Sequence, residues 1–412
     1  MDKKIHVGLI GLGKRGVGLL SILVKMEDVI VTAVSDAYED RRLNAVDKIV
    51  SFTGSKPYYS DNYKDILNRK DIDAVIVSTS WADHINIVID SMKAGKYVAF
   101  EVGGAYSEDE CWQLVKAYEE TGIPCMMLEN CCYGRNELMV SNMVRKGVFG
   151  EIVHCRGGYH HDLREEVAFG RENRHYRLIN YMHRNCENYP THELGPIAKI
   201  LNINRGNRML ALTSMASKAR GLNEYILKNK GRQYDLADYS FAQGDVETTT
   251  IRCAHGETIV LTLDTTLPRA YSRGLVIQGT KAMYMEDNNS LFIDGVHNDY
   301  EFSWNKQWNN MEKYREQYEH PLWRNYKPDS SDSHGGMDFL VLSAFFDSVR
   351  RQVQTAIDVY DAASWMSIAA FSEQSISMGG MPVPVPDFTN GKWLNRKPSP
   401  GGIYCLDQVY EK

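Results

Sequence analysis

Three glycines near the N-terminus are spaced as in a phosphate-binding turn. Gly11, Gly13 and Gly16 follow a β-branched run at residues 5–10 and open a helix-length amphipathic stretch. In that context the first glycine permits a tight turn, the second lets the backbone approach a pyrophosphate, and the third lets helix and strand pack closely. The N-terminus of the helix adds amide dipoles that attract phosphate. The pattern predicts a dinucleotide-binding site.

An acidic residue follows at the distance expected for a ribose ligand. Asp36 ends the next predicted strand, about 20 residues after the glycines, where a carboxylate can bind ribose hydroxyls. A carboxylate in this position would repel a 2′-phosphate, so we expect NAD as the cofactor. Arg41 and Arg42 lie nearby and leave NADP as the alternative.

Two polar segments follow later predicted strands of the same region. Ser78-Thr79-Ser80-Trp81-Ala82-Asp83-His84 comes after the fourth strand, and Glu101-Val102-Gly103-Gly104 after the fifth. Ligands of open α/β sheets bind outside the carboxyl ends of the strands, so both segments are candidates for the cofactor site. The alternative is structural, with Trp81 packed in an interdomain core and His84 capping the following helix.

A third segment gathers groups that can move protons. Asn188-Tyr189-Pro190-Thr191-His192-Glu193-Leu194-Gly195-Pro196 places a phenol, an imidazole and a carboxylate at a predicted helix start, with Thr191 or His192 preceding the apolar run 194–203. Within one helical turn these groups could converge on one ligand. The alternative is a capping segment with a solvated Glu193 and a packed Tyr189.

The elements that must position these groups fall into two regions. Strand-like runs at 5–10, 29–35, 73–79, 96–101 and 124–128 alternate with helices, which predicts an α/β, Rossmann-type doubly wound parallel sheet over residues 1–129. Residues 130–412 are predicted to form an α+β domain with a large, mainly antiparallel open sheet, because closely spaced strands cannot make parallel crossovers. Its strands are predicted near 152–159, 208–217, 246–253, 257–266, 272–279 and 281–287.

The C-terminal third has a different pattern. Residues 295–335 are aromatic and polar with weak periodicity and are expected to form an irregular surface excursion. Two amphipathic helices are predicted at 336–354 and 360–378. The prolines of 382–386 are expected to end regular structure.

Composition restricts the class of partner. With 412 residues and a formal net charge of -6, the chain can bury a sizeable core but has no global basic field, so neither nucleic acid nor a membrane is expected as a partner. No secretory leader is recognisable, and a cytoplasmic location is expected. The eight cysteines have no Cys-x-x-Cys pair, so no metal site is predicted. A small molecule is the expected substrate.

With these segments in place, the chain resembles the glucose–fructose oxidoreductase/inositol dehydrogenase superfamily and, within it, glycoside hydrolase family 109, the NAD-dependent α-N-acetylgalactosaminidases. The resemblance runs nearly end to end. Its most specific motifs are Glu129-Asn130-Cys131-Cys132-Tyr133-Gly134, His175-Tyr176-Arg177, Tyr189-Pro190-Thr191-His192, Asn202-Ile203-Asn204-Arg205-Gly206, Pro268-Arg269-Ala270-Tyr271-Ser272-Arg273, His334-Gly335-Gly336-Met337-Asp338-Phe339 and Pro386-Asp387-Phe388-Thr389.

The resemblance implies a role for individual residues. Besides the three glycines and Ser78, it implies NAD contacts at Lys14, Arg15, Asp36, Trp81 through His84, Glu101, Val102, Asn130 and Arg177. It implies substrate contacts at Tyr159, Tyr189, Thr191, His192 and Tyr271, and Glu193 is added because it adjoins them.

One departure from the superfamily bears on catalysis. Ordinary dehydrogenases of the superfamily have Glu-Lys-Pro on the fifth strand, and the lysine is their acid/base. Val102 stands in its place here, as in the glycosidases, so proton transfer is expected from Tyr189 and His192, with Tyr159 as a further candidate.

The mechanism implied by the resemblance is hydrolysis without net redox. NAD takes a hydride from the sugar C3, the ketone acidifies the C2 hydrogen, and a base removes that hydrogen while the C1 substituent leaves. Water then adds and C3 is reduced again. The alternatives are a sugar or cyclitol dehydrogenase that releases NADH, and a non-catalytic NAD-binding regulator.

Two further expectations concern the substrate and the assembly. Glu193 replaces the glycine associated with that position, which predicts altered sugar selection and leaves open whether N-acetylgalactosamine is the substrate. The missing export signal suggests a small intracellular glycoside. Superfamily members commonly dimerise through the open face of the second-domain sheet, so a homo-oligomer, dimer or tetramer, is expected.

Overall fold

The computed structural model describes residues 4–103, 105–298, 307–328, 333–399 and 402–409. The chain forms two compact units. The first comprises Met1–Gly134, Pro321–Ala363 and Lys397–Lys412, and the second comprises Arg135–His320 and Ser364–Arg396. A compact unit differs from a sequence domain, because a chain can return to a unit it has left. The domain boundary at residue 129 therefore stays a prediction.

The first unit contains the predicted parallel sheet. Its strands are β1 (Ile5–Ile10), β2 (Val29–Ser35), β3 (Tyr58–Ser60), β4 (Ala74–Val77), β5 (Tyr97–Phe100) and β6 (Cys125–Met127). They lie in the order β3-β2-β1-β4-β5-β6 and every neighbouring pair is parallel. The order reverses between β1 and β4, and Ile10 pairs with Val77 there. The residues that follow these two strands therefore meet at the switch point where such sheets bind ligands.

Helices connect these strands and return from later in the chain. Those of the N-terminal region are α1 (Lys14–Leu23), α2 (Glu39–Thr53), α3 (Tyr63–Leu67), α4 (Trp81–Lys93) and α5 (Glu108–Thr121), followed by a 3₁₀ turn at Asn130–Tyr133. The returning segments are tied to the N-terminal region by hydrogen bonds. Thr355 Oγ1 donates to the carbonyl oxygen of Cys125 at 2.9 Å, and the Tyr133 hydroxyl donates to the carbonyl oxygen of Tyr404 at 3.0 Å.

The second unit is built on an eight-stranded sheet in the order β13-β12-β11-β7-β10-β9-β8-β14. The strands are β7 (Ile152–His160), β8 (Met209–Ala216), β9 (Val246–Cys253), β10 (Thr258–Asp264), β11 (Val276–Gly279), β12 (Ala282–Met285), β13 (Ser290–Ile293) and β14 (Val383–Pro384). Among the described strand pairs of this eight-stranded sheet, only β7–β10 is parallel. The expected mainly antiparallel sheet is confirmed.

One face of this sheet is covered and the other is open. Along β9 the side chains of Glu247, Thr249 and Ile251 are buried, whereas Thr248 and Thr250 between them are exposed. Side chains of a strand point alternately to its two faces, so this pattern marks one packed face. The helices of this unit are α6 (Arg135–Arg145), α7 (Arg164–Ala168), α8 (Arg177–His183), α9 (Thr191–Ile200), α10 (Gly221–Lys230) and α11 (Arg315–Tyr318), with 3₁₀ turns at Asn310–Tyr314 and Lys392–Leu394.

Three helices follow residue 320. They are α12 (Pro321–Asn325), α13 (Met337–Arg351) and α14 (Val359–Ser377), with a 3₁₀ segment at Ser333–Gly336 before α13. The two long ones confirm the predicted helices. The expected amphipathic character was wrong for most of α14, because residues 359–369 are all buried. Among the described residues, none of the helices combines the length and apolar character that crossing a bilayer requires.

Two sequence expectations were wrong. The proline-rich segment does not end regular structure, because β14 pairs antiparallel with Leu212 and Ala211 of β8 at the sheet edge. Pro384 is tolerated there, since an edge strand can lack an amide donor. The expected surface excursion at 295–335 contains buried Met311 and Leu322 in short helices. Residues 299–306 and 329–332 of that stretch lie outside the described residues.

Candidate functional site

The glycine loop packs so closely that side chains are excluded at two of its three positions. Gly11 has φ +94°, and a Cβ there would lie 2.6 Å from the backbone of Ser78. A Cβ on Gly16 would lie 2.1 Å from the carbonyl oxygen of Gly11. At Gly13 the nearest atom to such a Cβ is Arg41 Nη1, at 3.7 Å, so the backbone is open on this side. This shape fits the approach of a pyrophosphate to the loop.

Asp36 is held beside this loop by backbone amides. Its Oδ2 accepts a hydrogen bond from Leu12 N–H at 2.7 Å and its Oδ1 accepts one from Tyr38 N–H at 2.9 Å. Arg41 Nη1 lies 3.8 Å from Oδ2. The carboxylate is therefore fixed at the carboxyl end of β2, where the ribose of a dinucleotide is expected. Lys14 is the exposed first residue of α1.

The buried carboxylate of Asp338 binds two residues that were expected to contact NAD, Arg15 and Asn130. Arg15 also binds a third such residue, Glu101. Arg15 donates to both oxygens of Asp338, at 2.6 and 2.8 Å, and its Nε donates to Glu101 Oε1 at 2.8 Å. Asn130 Nδ2 donates to Asp338 Oδ1 at 2.7 Å. His334 Nδ1 lies 2.8 Å from Asp338 Oδ2. We call Arg15, Glu101, Asn130, His334 and Asp338 the charged cluster.

The pKa values of the two carboxyl groups in this cluster shift in opposite directions. Burial alone would raise the pKa of Asp338, but hydrogen bonds from His334 and Arg15 hold it well below its ordinary value. Burial raises the pKa of Glu101, and Arg15 only partly opposes that effect. Asp338 is therefore an anion whose charge is fixed over the physiological pH range.

The segments that follow β4 and β5 pack on each other within the first unit. Trp81 Nε1 donates to the carbonyl oxygen of Val102 at 3.2 Å, and a Cβ on Gly103 would lie 2.3 Å from the Trp81 ring. His84 is buried inside α4, with Nε2 3.3 Å from the carbonyl oxygen of Val77. Burial lowers the pKa of His84 to about 4. His84 is thus neutral and does not cap the helix, because α4 begins three residues earlier.

In the second unit the predicted proton-moving groups do converge. The rings of Tyr159 and Tyr189 lie 4.3 Å apart, centroid to centroid. The His192 ring lies 5.3 Å from Tyr159 and 4.8 Å from Tyr189, nearly perpendicular to each. Both tyrosines are buried. We call Tyr159, His161, Arg177, Tyr189 and His192 the aromatic cluster.

Arg177 belongs to this cluster. Its guanidinium carbon lies 4.7 Å from the centroid of the Tyr189 ring and 5.9 Å from that of Tyr159, and its Nε lies 3.5 Å from Glu166 Oε1. Burial raises the pKa of Tyr159 to about 12, with Arg177 acting in the opposite direction. A buried cation over two phenols stabilises any negative charge that they acquire. The NAD contact expected at Arg177 stays a prediction.

Sequence reasoning missed His161. Its Nδ1 lies 2.9 Å from the Tyr159 hydroxyl, and its ring centroid lies 5.1 Å from that of Tyr271, which is 52% exposed. The signal was present, because residues two apart in an extended strand share a face. The motif at 334–339 likewise contained Asp338 and His334 without assigning them a role.

Glu193 lies beneath the helix start. Its carboxylate is fully buried, with Oε1 3.4 Å from Arg273 Nε. A Cβ added to Gly157 would lie 2.6 Å from the Cβ of Glu193. Arg273 also pairs with Glu137 and Glu286. The alternative of a solvated Glu193 is therefore wrong. Thr191, the first residue of α9, is buried as well.

Known families match nearly the whole chain. A family model described as glycosyl hydrolase 109, C-terminal domain, matches residues 133–395, and the NAD-binding Rossmann fold of an oxidoreductase family matches residues 5–128. The chain belongs to glycoside hydrolase family 109. A "Glycosyl hydrolase family 109 protein" of Stenotrophomonas maltophilia is 39% identical over 99% of this chain and 93% of its own length. An "Alpha-N-acetylgalactosaminidase" of Tannerella forsythia is 36% identical over 97% and 89%.

Solved structures of several dehydrogenases show the same fold. A levoglucosan dehydrogenase in complex with NADH and levoglucosan is similar with a TM-score of 0.68, at 16% identity, over 93% of this chain and 100% of its own. An apo scyllo-inositol dehydrogenase of Lactobacillus casei is similar with a TM-score of 0.66, at 14% identity, over 93% and 99%. The family matches make this family 109 member an enzyme with an NAD-binding N-terminal region.

Proposed function

We propose that this family 109 protein is a glycosidase that retains NAD as a catalyst and hydrolyses an N-acetylgalactosaminide or a related small glycoside. When bound, NAD supplies a hydride acceptor for the sugar C3 and later returns the hydride to the same carbon. The hydrolysis then consumes no redox equivalent. The relatives named α-N-acetylgalactosaminidase support this substrate class.

The observation that carries the proposal is the convergence of Tyr159, Tyr189 and His192 in one buried cluster with Arg177. The route needs a base at the C3 hydroxyl, a base at C2 and an acid at the leaving oxygen. We assign the C3 hydroxyl proton to His192, because an imidazole can both accept and donate a proton. The tyrosines serve C2 and the leaving oxygen. Oxidation at C3 is required because a side chain cannot remove an unactivated C–H proton.

The chain's own residues fit the cofactor. The opening above Gly13 suits a pyrophosphate, Asp36 would bind the ribose, and the charged cluster would orient the rest. Val102 offers no titratable side chain where dehydrogenases have their lysine. The base that moves the proton must therefore come from another segment than the end of β5. The absence of the dehydrogenase lysine favours the hydrolytic route over simple oxidation.

The test uses the purified protein with the cofactor that it retains. Aryl and disaccharide glycosides are digested in deuterated water, and free sugar, reduced nicotinamide and deuterium at C2 are measured by proton NMR and absorbance. Hydrolysis predicts free sugar with deuterium at C2 and no accumulating reduced cofactor. Stoichiometric reduced cofactor with no C1 cleavage would instead identify a dehydrogenase, and no turnover of any sugar would favour a regulator.

A further inference from the structure

We propose that His161 acts in this reaction through Tyr159, as the second member of a two-step relay that removes the C2 proton. The inference rests on the proposed hydrolytic function and names the base that this function needs. His161 has no role in the residue assignments carried by the family resemblance.

The positions of Tyr159 and His161 at the end of β7 support the relay. Tyr159 and His161 are two apart and lie on the same side of the chain, where Gly157 faces Glu193. Backbone N–H of His161 donates to the carbonyl oxygen of Asp264 at 3.0 Å, which fixes its position at the end of the strand. The intervening His160 has its ring beside Gly158 and Gly274. Only His161 of the two histidines reaches the Tyr159 hydroxyl.

The pairing changes what Tyr159 can do. A buried phenol with a pKa of about 12 is a weak acid and is seldom ionised near neutral pH, so it cannot hold a free phenolate ready. Burial lowers the pKa of His161, and the positive charge of Arg177 acts in the same direction, while Glu166 acts against it. The imidazole is therefore neutral. With its proton on Nε2, Nδ1 can accept the phenolic proton.

The step balances as follows. The Tyr159 oxygen takes the proton from C2 of the 3-keto sugar while its own proton passes to His161 Nδ1. The electron pair of the C2–H bond forms the C1–C2 double bond, and the C1–O bond breaks with its pair on oxygen. That oxygen takes a proton from the Tyr189 hydroxyl, and Arg177, 4.7 Å from that ring, faces the phenolate left behind. Addition of water reverses these transfers and restores each group.

The test separates the C2 step from the C3 step. In His161→Asn the amide can still accept a hydrogen bond from Tyr159 but cannot take its proton. We expect C2 deuterium exchange and sugar release to fall about 100-fold or more, as for loss of a general base, while oxidation at C3 continues and reduced cofactor builds up on the protein. His160→Asn, the neighbouring histidine on the other side, should leave both steps unchanged.

A structural role for His161 predicts different results. Simple misplacement of Tyr159 would slow C3 oxidation and C2 exchange together, and His161→Gln would restore much of the rate by re-forming the contact. The double variant of His161→Asn with Tyr159→Phe should be no slower than Tyr159→Phe alone, whereas additive losses would overturn the relay. Thermal melts of each variant identify loss of folding.

The controls also separate this inference from the proposed function. If the wild-type protein incorporates no deuterium at C2, the hydrolytic route itself fails, whatever the variants do. If the wild-type protein does incorporate it and His161→Asn exchanges C2 at the same rate, the route stands and the relay is wrong.

Discussion

Asp338 in the first unit and Glu247 in the second are buried acids whose surroundings shift their pKa values in opposite directions. In the first unit Asp338 keeps its charge, because Arg15, Asn130 and His334 all bond to it. In the second unit burial raises the pKa of Glu247 to about 8, and burial together with the charge of Glu247 raises that of Glu187 well above its ordinary value. Asp338 thus keeps its charge in the buried interior, whereas Glu247 holds its proton near neutral pH.

The largest effect is expected from the aromatic cluster. Tyr189→Phe removes one hydroxyl and keeps the ring under Arg177, so the fold and the bound cofactor should persist while glycoside turnover falls about 100-fold or more. Steady-state release of an aryl aglycone measures this. Tyr225→Phe on α10 is the matched control, since its ring packs against Arg164 and keeps that contact. Equal losses in the two variants would contradict a role for the Tyr189 hydroxyl.

The next effect tests the fixed charge of the first unit. Asp338→Asn leaves Arg15 without its main anion, and breaking a buried ion pair of this kind costs about 3 kcal/mol in the free energy of unfolding. We also expect NAD to be lost on purification. Urea unfolding and cofactor absorbance measure both, and Asp347→Asn, on the exposed part of the same helix, is the control. A variant as stable as the wild-type protein would show that the charge of Asp338 is not stabilising.

The contrast in buried acids also predicts a pH dependence. Glu247 has a folded-state pKa of about 8 against an ordinary value of 4.5, so its contribution to stability is fully present below pH 4.5 and is lost as the pH rises toward 8. Glu247→Gln, which stays neutral, should flatten the fall in unfolding free energy across this window by a few kcal/mol, on the order of the shift. Glu224→Gln on the surface of α10 should leave the slope unchanged. A fall as steep in the Glu247 variant as in the wild-type protein would contradict this prediction.

The smallest effect concerns sugar selection. Glu193→Gly removes the carboxylate next to His192 and leaves Arg273 paired with Glu137 and Glu286. We expect the ratio of kcat/KM between N-acetylgalactosaminides and other glycosides to shift by about tenfold, a range typical of a single altered contact. Glu193→Gln, which keeps the volume, separates charge from packing. An unchanged ranking of glycosides in both variants means that Glu193 acts in stability alone.

The sequence was most informative where a local pattern decides the structure. Alternating runs predicted five of the six parallel strands, and strand–glycine–helix context predicted the loop at Gly11. The three-residue β3 was missed, because so short a run has no measurable periodicity. β14 was missed for another reason: its prolines mask a pairing that depends on the distant β8.

The sequence predicted only those parts of the two clusters that depend on residues close together in the chain. Tyr189 and His192 lie within one helical turn, so their proximity is local information. The bonds of Arg15 and Asn130 to Asp338 join positions more than two hundred residues apart, which no spacing reveals. The burial of Glu193 depended on Arg273 and Gly157 in other strands and loops, and a charged residue at a helix start is usually solvated.

The return of the chain to the first unit has a consequence for its synthesis. Thr355 and Tyr404 bond to Cys125 and Tyr133, so the packing of the N-terminal region includes residues made some 230 and 270 positions later. An emerging N-terminal domain generally folds as soon as it leaves the ribosome. Here the part of the N-terminal region that these segments cover stays uncovered during synthesis until the C-terminal segments emerge.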